Sequence, residues 1–441
     1  MMKSRNKCRR LTGKTGKGLL GAGILLGAVS FALGDCMASE RLPQRFDLRE
    51  NETISEVFDQ GEQGTCWAFA SLTALASSMP TELRTPLSAD HMTHKNSFGL
   101  SEADGGDYSV ASAYLLAWQG PVAEKDDVYG DGISPDGLEP LCHVQTIKIL
   151  KEKDYEAIKR AVFETGGVQS SLYLPAAGTG ERQRYYREDT CALFYDGGSE
   201  ANHDVVIVGW DDNYPKENFV NQPSADGAFL CVNSWGKGFG DGGFFYVSYE
   251  DSQIGLHNVL YAGVENTGNY DRIYQTDLCG WTGQLGYGTS EVWIANVYEA
   301  AGNENVLAAG FYALAPDTRY QIYVVPVPAG KSAAKALTEF MSGGNRCPAA
   351  SGTVSDAGFY TVALEHETQV DAGTRFAVAA RIDSPGTGQP AAVEYRSGER
   401  TANVDINDGE GYISFNGTVW ERSEKTEGCN VCLKAYTKKR P

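Results

Sequence analysis

Cys66 is the residue of this sequence best placed for covalent chemistry. It begins a stretch rich in alanine and leucine, residues 66–78, whose apolar residues recur at three- and four-residue intervals and predict a helix. Backbone N–H groups and the helix dipole favour negative charge at such a position, so we expect a lowered pKa for the thiol. A thiolate of this kind is a nucleophile for acyl transfer.

Three further residues could complete the chemistry that Cys66 begins. A thiolate nucleophile needs a base that later returns the proton, and His203 is of the right type. The imidazole needs a group that fixes its orientation, which the side-chain carbonyl of Asn233 can supply. The backbone N–H of Cys66 and the side-chain amide of Gln60 could form an oxyanion hole.

These residues lie in three motifs, namely DQGEQGTCWAFA at 59–70, ANHDVVIVGWDD at 201–212 and CVNSWGKGFGDGGFF at 231–245. In this order the motifs resemble the papain-like (C1) cysteine peptidases. Gln60 stands six residues before Cys66, as in that family. The interval from Cys66 to His203 falls within the family's usual window of roughly 130–150 residues, and the interval from Cys66 to Asn233 is slightly longer than that window.

The resemblance implies a role for each matched residue. Cys66 would be the nucleophile, His203 the general base and acid, and Asn233 the group that orients the imidazole. Gln60 would donate to the oxyanion. It implies peptide-bond hydrolysis without a cofactor or a metal, on a polypeptide substrate.

The resemblance also places a substrate cleft. Gly105 and Gly106 match the glycine strip along which substrate backbone lies. Asp204 would line the edge of the S2 pocket, and Trp235 would shield the histidine–asparagine pair from water. The chain departs from the family at Gln63, where animal and plant members carry a disulfide cysteine, and in having almost nothing between residue 38 and the peptidase motif that could serve as a long inhibitory propeptide.

The helices and strands that must hold these residues can be predicted from the sequence. Together they indicate an α+β domain over 39–265, with a helical half and a β half. We expect helices at 66–78, 109–119 and 155–167, the last ended by Gly166 and Gly167, and strands at 203–212, 227–235 and 242–251. Helices first and strands later are typical of the two-lobed papain-like fold.

Residues 266–441 predict an all-β sandwich or jelly roll. Short strand-like runs are bounded by turn residues at 292–300, 305–314, 319–327, 358–365, 376–382, 391–397, 411–417 and 432–438. A helical insert at 331–344 interrupts them. This region resembles the lectin-like β-domain that follows papain-like domains in some bacterial secreted proteins, which implies targeting or carbohydrate binding.

Residues 1–38 read as a secretory signal. Seven basic residues precede an uncharged apolar run at 18–34, and small residues allow a cut after Gly34 or after Ala38. An uncleaved N-terminal anchor is the alternative. We therefore expect a protein that is secreted or held at the cell surface.

The charge of the chain excludes some partners. The net charge is −19, and without residues 1–38 it becomes −25, from 31 basic and 56 acidic residues. Such an acidic chain is a poor partner for nucleic acid, and we expect no membrane contact beyond an uncleaved anchor. Cys429 and Cys432 have CxxC spacing, but the chain has no second such pair, so we expect a local disulfide or a strand-borne pair rather than zinc.

The combined reading is a secreted or surface cysteine endopeptidase. Two alternatives stay open. One is an adhesin-like binding protein whose peptidase domain is weak or inactive, and the other is a cell-wall peptide hydrolase or transpeptidase that uses the same triad.

Overall fold

The computed structural model describes residues 41–440 apart from Glu52, Ser55, Ala177, Thr179 and 344–346. The predicted signal at 1–38 lies outside the described residues. None of the helices in the described part of the chain is both long enough and apolar enough to cross a bilayer.

The three helices predicted in the first half of the chain form near their expected positions. The helices are α1 (Cys66–Ser78), α2 (Ala89–Lys95), α3 (Tyr108–Leu116), α4 (Tyr155–Glu164), α5 (Arg182–Tyr185), α6 (Ala333–Ser342) and α7 (Ser423–Thr426). Short 3-10 turns occur at Leu48–Asn51, Thr81–Leu83 and Lys216–Asn218.

The C-terminal glycines of the predicted third helix have a different purpose from the one expected. The helix α4 ends at Glu164, and neither Gly166 nor Gly167 has a positive φ. A Cβ on Gly166 would lie 2.8 Å from Ser77 Oγ, and one on Gly167 would lie 2.6 Å from Val206 Cγ1. The glycines are therefore required by close packing against α1 and the sheet, and not by a left-handed helix cap.

The strands of the first half are β1 (Arg45–Asp47), β2 (Cys142–Leu150), β3 (Val168–Leu172), β4 (Tyr186–Arg187), β5 (Ala192–Leu193), β6 (His203–Asp211), β7 (Ala228–Val232), β8 (Phe244–Ser248) and β9 (Asn258–Asn266). Those of the second half are β10 (Arg272–Tyr274), β11 (Gly283–Leu285), β12 (Glu291–Glu299), β13 (Glu304–Ala313), β14 (Thr318–Val327), β15 (Ala350–Val354), β16 (Ala357–Val370), β17 (Arg375–Asp383), β18 (Ala391–Tyr395), β19 (Gly411–Ser414), β20 (Glu421–Arg422), β21 (Cys429–Val431) and β22 (Leu433–Lys439). Each strand-like run predicted from the sequence contains or overlaps one of them.

One large sheet runs through both halves of the chain. Its strand order is β10-β22-β13-β16-β2-β9-β3-β6-β7-β8-β5-β4, and β1 pairs with β6. The junction is the antiparallel pairing of β16 with β2, in which Ala357 lies opposite Ile149 and Tyr360 opposite Thr146. The two halves therefore share backbone hydrogen bonds as well as side-chain contacts.

The second half is a sandwich, as expected. The part of the large sheet formed by β10, β22, β13 and β16 packs on a six-stranded sheet of order β15-β14-β17-β12-β19-β20. Phe311, Val324 and Val378 are among the buried residues of the core between them. On the outer face of the six-stranded sheet, α6 buries Leu337 against Val325 and its neighbours.

The helix α1 runs through the core of the first half. Its residues are apolar almost all round, which is typical of a buried helix, and Ala68, Ala74 and Leu75 have no exposed surface. Such enclosure fixes both the axis of the helix and the position of its first residue, Cys66.

The second half also touches the helical lobe through side chains. Arg400 forms an ion pair with Asp107 at 2.7 Å, and its guanidinium carbon lies 5.3 Å from the centroid of the Phe98 ring. The backbone N–H of Gly99 donates to the carbonyl of Arg400 over 3.0 Å. These contacts lie close in sequence to the glycine strip at residues 105 and 106.

The cysteines within the described residues are all free. Cys429 lies in β21 and Cys432 follows it, so the CxxC pair is the strand-borne pair of the two expectations. Both are buried, and the Cys432 thiol donates to the carbonyl of Gly280 over 3.3 Å.

Candidate active site

Cys66 is the first residue of α1, where the helix meets the start of β6. Backbone N–H groups of Asp204, Trp67 and Cys66 itself face its sulfur and lower the pKa of the thiol. Thr65, the residue before it, is fully buried, and its hydroxyl bonds the Tyr129 hydroxyl at 2.7 Å. The nucleophile expected from the sequence is therefore held between a helix N-terminus and a strand end.

The pKa of the Cys66 thiol moves opposite to the expected direction. Burial raises the pKa to about 11, and the charge of Asp204 adds to the rise. The backbone N–H groups at the sulfur lower the pKa, but their effect is smaller. The prediction of a lowered thiol pKa is wrong because the cost of burying a thiolate exceeds the help from the helix N-terminus.

His203 and Asn233 form the predicted pair. Val206 of β6 lies opposite Val232 of β7, so the start of one strand and the residue after the other meet at one end of the sheet. There His203 Nε2 and Asn233 Oδ1 are 2.7 Å apart, and both residues are buried.

The hydrogen bonds of Asn233 fix the tautomer of the imidazole. The backbone N–H of Ser234 donates to Asn233 Oδ1 over 2.8 Å, so this atom is the amide oxygen and can only accept. His203 Nε2 therefore carries a hydrogen, and Nδ1 is the nitrogen free to accept a proton. Burial lowers the pKa of His203 to about 4, the bond to Asn233 raises it and the charge of Arg182 lowers it.

Trp235 covers this pair. Its ring centroid lies 4.7 Å from that of His203, with the ring planes tilted by 39°. The segment that carries it is pinned to the chain before Cys66, since Asp59 and Trp235 form a β-bridge. The backbone N–H of Gln60 donates to the carbonyl of Ser234 over 2.8 Å.

Gln60 is held in one orientation. Ser234 Oγ donates to Gln60 Oε1 over 2.6 Å, and Gln60 Nε2 donates to the carbonyl of Gln63 over 2.8 Å. An amide nitrogen has two hydrogens, so one donor remains for a ligand. The Tyr129 hydroxyl, which also meets Thr65, donates to the Gln60 carbonyl over 2.9 Å.

The glycine strip lies against the residue that follows Cys66. A Cβ on Gly106 would lie 2.5 Å from Trp67 Cε2, so a side chain there has no room. Gly105 has a φ of +72°, a conformation that favours glycine. The backbone N–H of Gly64 donates to the carbonyl of Glu102 over 3.1 Å and ties the strip to the loop before Cys66.

Asp204 lies beside the sulfur, and both of its carboxylate oxygens are occupied. Ser171 Oγ donates to Oδ1 over 2.6 Å, and Gln169 Nε2 donates to Oδ2 over 2.8 Å. Burial raises the pKa of this carboxyl group, with the bonds from Ser171 and Gln169 opposing the rise. The structure thus brings all eight predicted site residues to one region around the N-terminus of α1.

Sequence reasoning missed several residues of the site. Ser234 was visible inside the third motif, at residues 231–245, but its bond to Gln60 was not. Tyr129 and Arg182 lie outside every motif, and no signal in the sequence marks them.

One cluster among the described residues could bring metal-ligating atoms together. Asp90, His94 and Glu102 place one ligand atom each within 4.8 Å of one another. The imidazole nitrogens of His94 lie 3.1 Å from Glu102 Oε1 and 3.4 Å from Asp90 Oδ2. These contacts place one imidazole between two carboxylates, and we assign no ion to them.

Comparisons with known proteins agree with this geometry. The sequence pattern described as "Papain family cysteine protease" matches residues 42–264, and the one described as "Lectin like domain" matches residues 273–437. Oryzain gamma chain of Oryza sativa subsp. japonica is 27% identical over 230 residues, covering 49% of this chain and 58% of that protein. Cathepsin S of Bos taurus is 25% identical over 249 residues, covering 53% of this chain and 66% of that protein. The chain spans about three fifths of the length of the first such relatives.

Solved structures match over most of the chain. The clostridial cysteine protease Cwp84 after propeptide cleavage is 25% identical with a TM-score of 0.76, covering 90% of this chain and 99% of that one. A second structure holds the cysteine protease and lectin-like domains of Cwp84, described as a surface layer associated protein of Clostridium difficile. It has the same fold at a TM-score of 0.76 and 24% identity, covering 91% of this chain and 89% of that one. This chain therefore belongs to the papain family of cysteine proteases, and a lectin-like all-β domain follows its peptidase domain.

Proposed function

We propose that this protein is a secreted or surface-held cysteine endopeptidase that hydrolyses peptide bonds with Cys66, His203, Asn233 and Gln60. The observation that carries the proposal is the His203–Asn233 hydrogen bond of 2.7 Å, which leaves Nδ1 free on a residue that directly precedes Asp204. The backbone N–H of Asp204 faces the Cys66 sulfur and lowers the pKa of its thiol, so the proposed base is the neighbour in sequence of a residue at the nucleophile.

The first half of the reaction forms an acyl-enzyme. As the Cys66 sulfur attacks the carbonyl carbon of the peptide, the thiol proton passes to His203 Nδ1. The carbonyl oxygen becomes an oxyanion and accepts hydrogen bonds from the Cys66 N–H and the free hydrogen on Gln60 Nε2. The C–N bond then breaks, and the imidazolium gives its proton to the leaving amine.

The second half releases the acyl group. A water molecule gives a proton to His203 Nδ1 while its oxygen attacks the thioester carbon. The C–S bond breaks, the proton returns to the sulfur, and a carboxylic acid leaves. Asn233 holds the imidazole in one plane through both halves, and Trp235 keeps water from competing for that hydrogen bond.

The raised pKa of Cys66 and the lowered pKa of His203 bear on the resting state. Both shifts favour a neutral thiol beside a neutral imidazole at neutral pH. The proton then moves during attack, when the developing oxyanion and the substrate change the surroundings of the pair. His203 is a general base in this scheme, which agrees with the role implied by its matched motif.

We further propose that the lectin-like domain directs the enzyme to glycans at a cell surface or in the extracellular space. Support comes from the secretory order of residues 1–38 and from the description of Cwp84, a protein of similar architecture, as surface layer associated. We place the domain limits at 39–265 and 266–441, close to the two matched segments.

Turnover of a protein substrate tests the proposed activity. Residues 39–441 should degrade an unfolded protein such as reduced casein under reducing conditions, and Cys66→Ala should abolish turnover. Cys347→Ala, which changes an exposed cysteine of the lectin-like domain, is the matched control and should leave the rate unchanged. Casein left intact by a folded wild-type protein would contradict the proposal and favour the adhesin-like alternative.

A further inference from the structure

Arg182 lies over the aromatic residues that cover the proposed catalytic pair. It is the first residue of α5, and its guanidinium carbon is 5.2 Å from the ring centroids of both Trp235 and Phe239. It is also 5.3 Å from the ring of Tyr186. Three aromatic faces therefore hold one cation in place.

This guanidinium has no carboxylate partner among the residues that the structure describes. No ion pair found in that part of the chain includes Arg182, and its Nε is buried without a hydrogen-bond partner. Arg187, only five residues later, bonds Asp189 at 2.8 and 3.1 Å. An unpaired arginine is notable in a chain with 57 acidic residues.

The position of Arg182 relative to Trp235 and His203 identifies the part of a substrate that its guanidinium would contact. The ring of Trp235 is 4.7 Å from that of His203, and the charge of Arg182 is close enough to lower the pKa of His203. In the proposed reaction His203 must protonate the leaving amine. The fragment that leaves therefore lies on the His203 and Trp235 side of the scissile bond, beneath Arg182.

We propose that Arg182 is a carboxylate-binding subsite for the leaving fragment, so that the enzyme prefers peptides with a carboxylate in the first two residues after the scissile bond. Stacking on aromatic faces leaves the guanidinium edge open, and that edge matches the two oxygens of a carboxylate. The inference rests on the proposed peptidase function and deepens it by naming a substrate class. The carboxylate can belong to an Asp or Glu side chain or to the C-terminus of a short leaving fragment.

A set of three quenched fluorescent peptides tests the subsite. All share one sequence before the scissile bond. The first has Glu after the bond and an amidated end, the second has Gln there and an amidated end, and the third has Gln and a free C-terminal carboxylate one residue later. In the wild type we expect kcat/KM about tenfold higher for the first or third peptide than for the second, a typical effect of one charge-assisted hydrogen bond. Which of the two is preferred identifies the source of the carboxylate.

Variants show whether Arg182 causes the preference. Arg182→Gln should bring the ratio of kcat/KM values close to one while the second peptide is still cleaved. Arg187→Gln, which removes a neighbouring but paired arginine, should leave the ratio unchanged. Raising the salt concentration should also reduce the preference in the wild type. This test does not depend on whether a variant folds. Equal rates for the three peptides in the wild type, or a preference that persists in Arg182→Gln, would overturn the inference.

A binding measurement separates this inference from the proposed activity. Cys66→Ala cannot form an acyl-enzyme, so calorimetry can measure its affinity for the intact peptides. We expect the carboxylate-bearing peptide to bind about tenfold more tightly than the Gln amide, and Arg182→Gln in the same background to remove the difference. This result would hold even if none of the peptides were cleaved by the wild type, whereas equal affinities would contradict the subsite itself.

Discussion

Asn233 is the residue on which the proposed site depends most closely. Its amide oxygen accepts from both His203 Nε2 and the Ser234 N–H, and its Nδ2 is buried with no hydrogen-bond partner among the residues that the structure describes. The amide is thus committed to holding the imidazole, at the cost of one unsatisfied donor. Such a cost at a buried position is consistent with a role in positioning and not in stability.

Replacing Asn233 by alanine should therefore reduce activity without unfolding the protein. A hydrogen bond to a group that becomes charged contributes about 1.5–3 kcal/mol, so kcat/KM should fall about 10- to 100-fold. Steady-state kinetics measures the loss of kcat/KM, and circular dichroism shows whether the variant stays folded. Asn202→Ala is the control, because among the described residues the Asn202 side chain hydrogen-bonds the backbone of Leu174 and no catalytic group, so its loss should cost less than about threefold. Equal losses in the two variants would argue against the assigned role.

The lowered pKa of His203 predicts how activity depends on pH. The imidazole must be neutral to accept the thiol proton, and its pKa of about 4 keeps it neutral down to that pH. We expect kcat/KM to stay level from pH 7 to about 5 and to fall by half near pH 4. Arg182→Gln should move this acid-side fall in activity to higher pH, since the charge of Arg182 lowers the pKa of His203. A wild-type enzyme whose kcat/KM already falls by half at pH 6.5 or above would contradict the account.

The same shift affects stability, so folding must be followed at each pH. The unfolded chain binds a proton on histidine near pH 6.5, whereas the folded chain does so near 4. The contribution of His203 to the free energy of unfolding is therefore complete above pH 6.5 and declines as the pH falls towards 4.

At the scale of elements, α1 and the glycine strip are what place the nucleophile. The sequence predicted α1 at 66–78, the bounds that the structure gives it, because the stretch is rich in alanine and leucine, with apolar residues recurring every three or four positions. It predicted the strip only by resemblance, since two glycines in a loop have no periodic signal. The structure adds the reason for one of them, the contact of Gly106 with the ring of Trp67.

A methyl group at position 106 should disturb this contact. In Gly106→Ala the new Cβ would lie 2.5–2.8 Å from three ring atoms of Trp67, so the strip or the ring must move. We expect kcat/KM to fall about tenfold or more and the free energy of unfolding to fall by about 1–3 kcal/mol. The control is Gly238→Ala, where an added Cβ meets no atom of the described residues within 4 Å. A Gly106→Ala enzyme with wild-type kinetics would show that the strip does not position the site.

At the scale of the whole molecule, the continuous sheet is the feature that the sequence did not predict. Local patterns marked the strands of each half, but the pairing of β16 with β2 joins residues about 210 positions apart. The strand β2 itself was missed, because polar residues such as His143 and Lys148 interrupt its apolar pattern. Short-range patterns identify elements, while partners so distant in sequence are determined by packing.

The contact of Arg400 with the helical lobe should couple the two halves. Arg400→Ala removes the ion pair with Asp107 and the contact with the ring of Phe98. Both groups are partly exposed, so we expect a loss of only about 1 kcal/mol in the free energy of unfolding, measured by urea denaturation. Arg396→Ala, on an exposed arginine of the same segment, should change it by less than about 0.5 kcal/mol. Identical denaturation curves for the two variants would show that Arg400 does not stabilise the contact between the two halves.

The most direct test of the central claim is labelling of residues 39–441 with a peptide epoxide, read as intact mass. If Cys66 and His203 form a working pair, the wild type gains one adduct on Cys66, Cys66→Ala gains none, and His203→Ala reacts far more slowly. Labelling needs no knowledge of the preferred substrate, and it reports the nucleophile and the base together. A folded wild-type protein that gains no adduct, or gains it on another cysteine, would contradict the claim that Cys66 is the nucleophile of an assembled catalytic site.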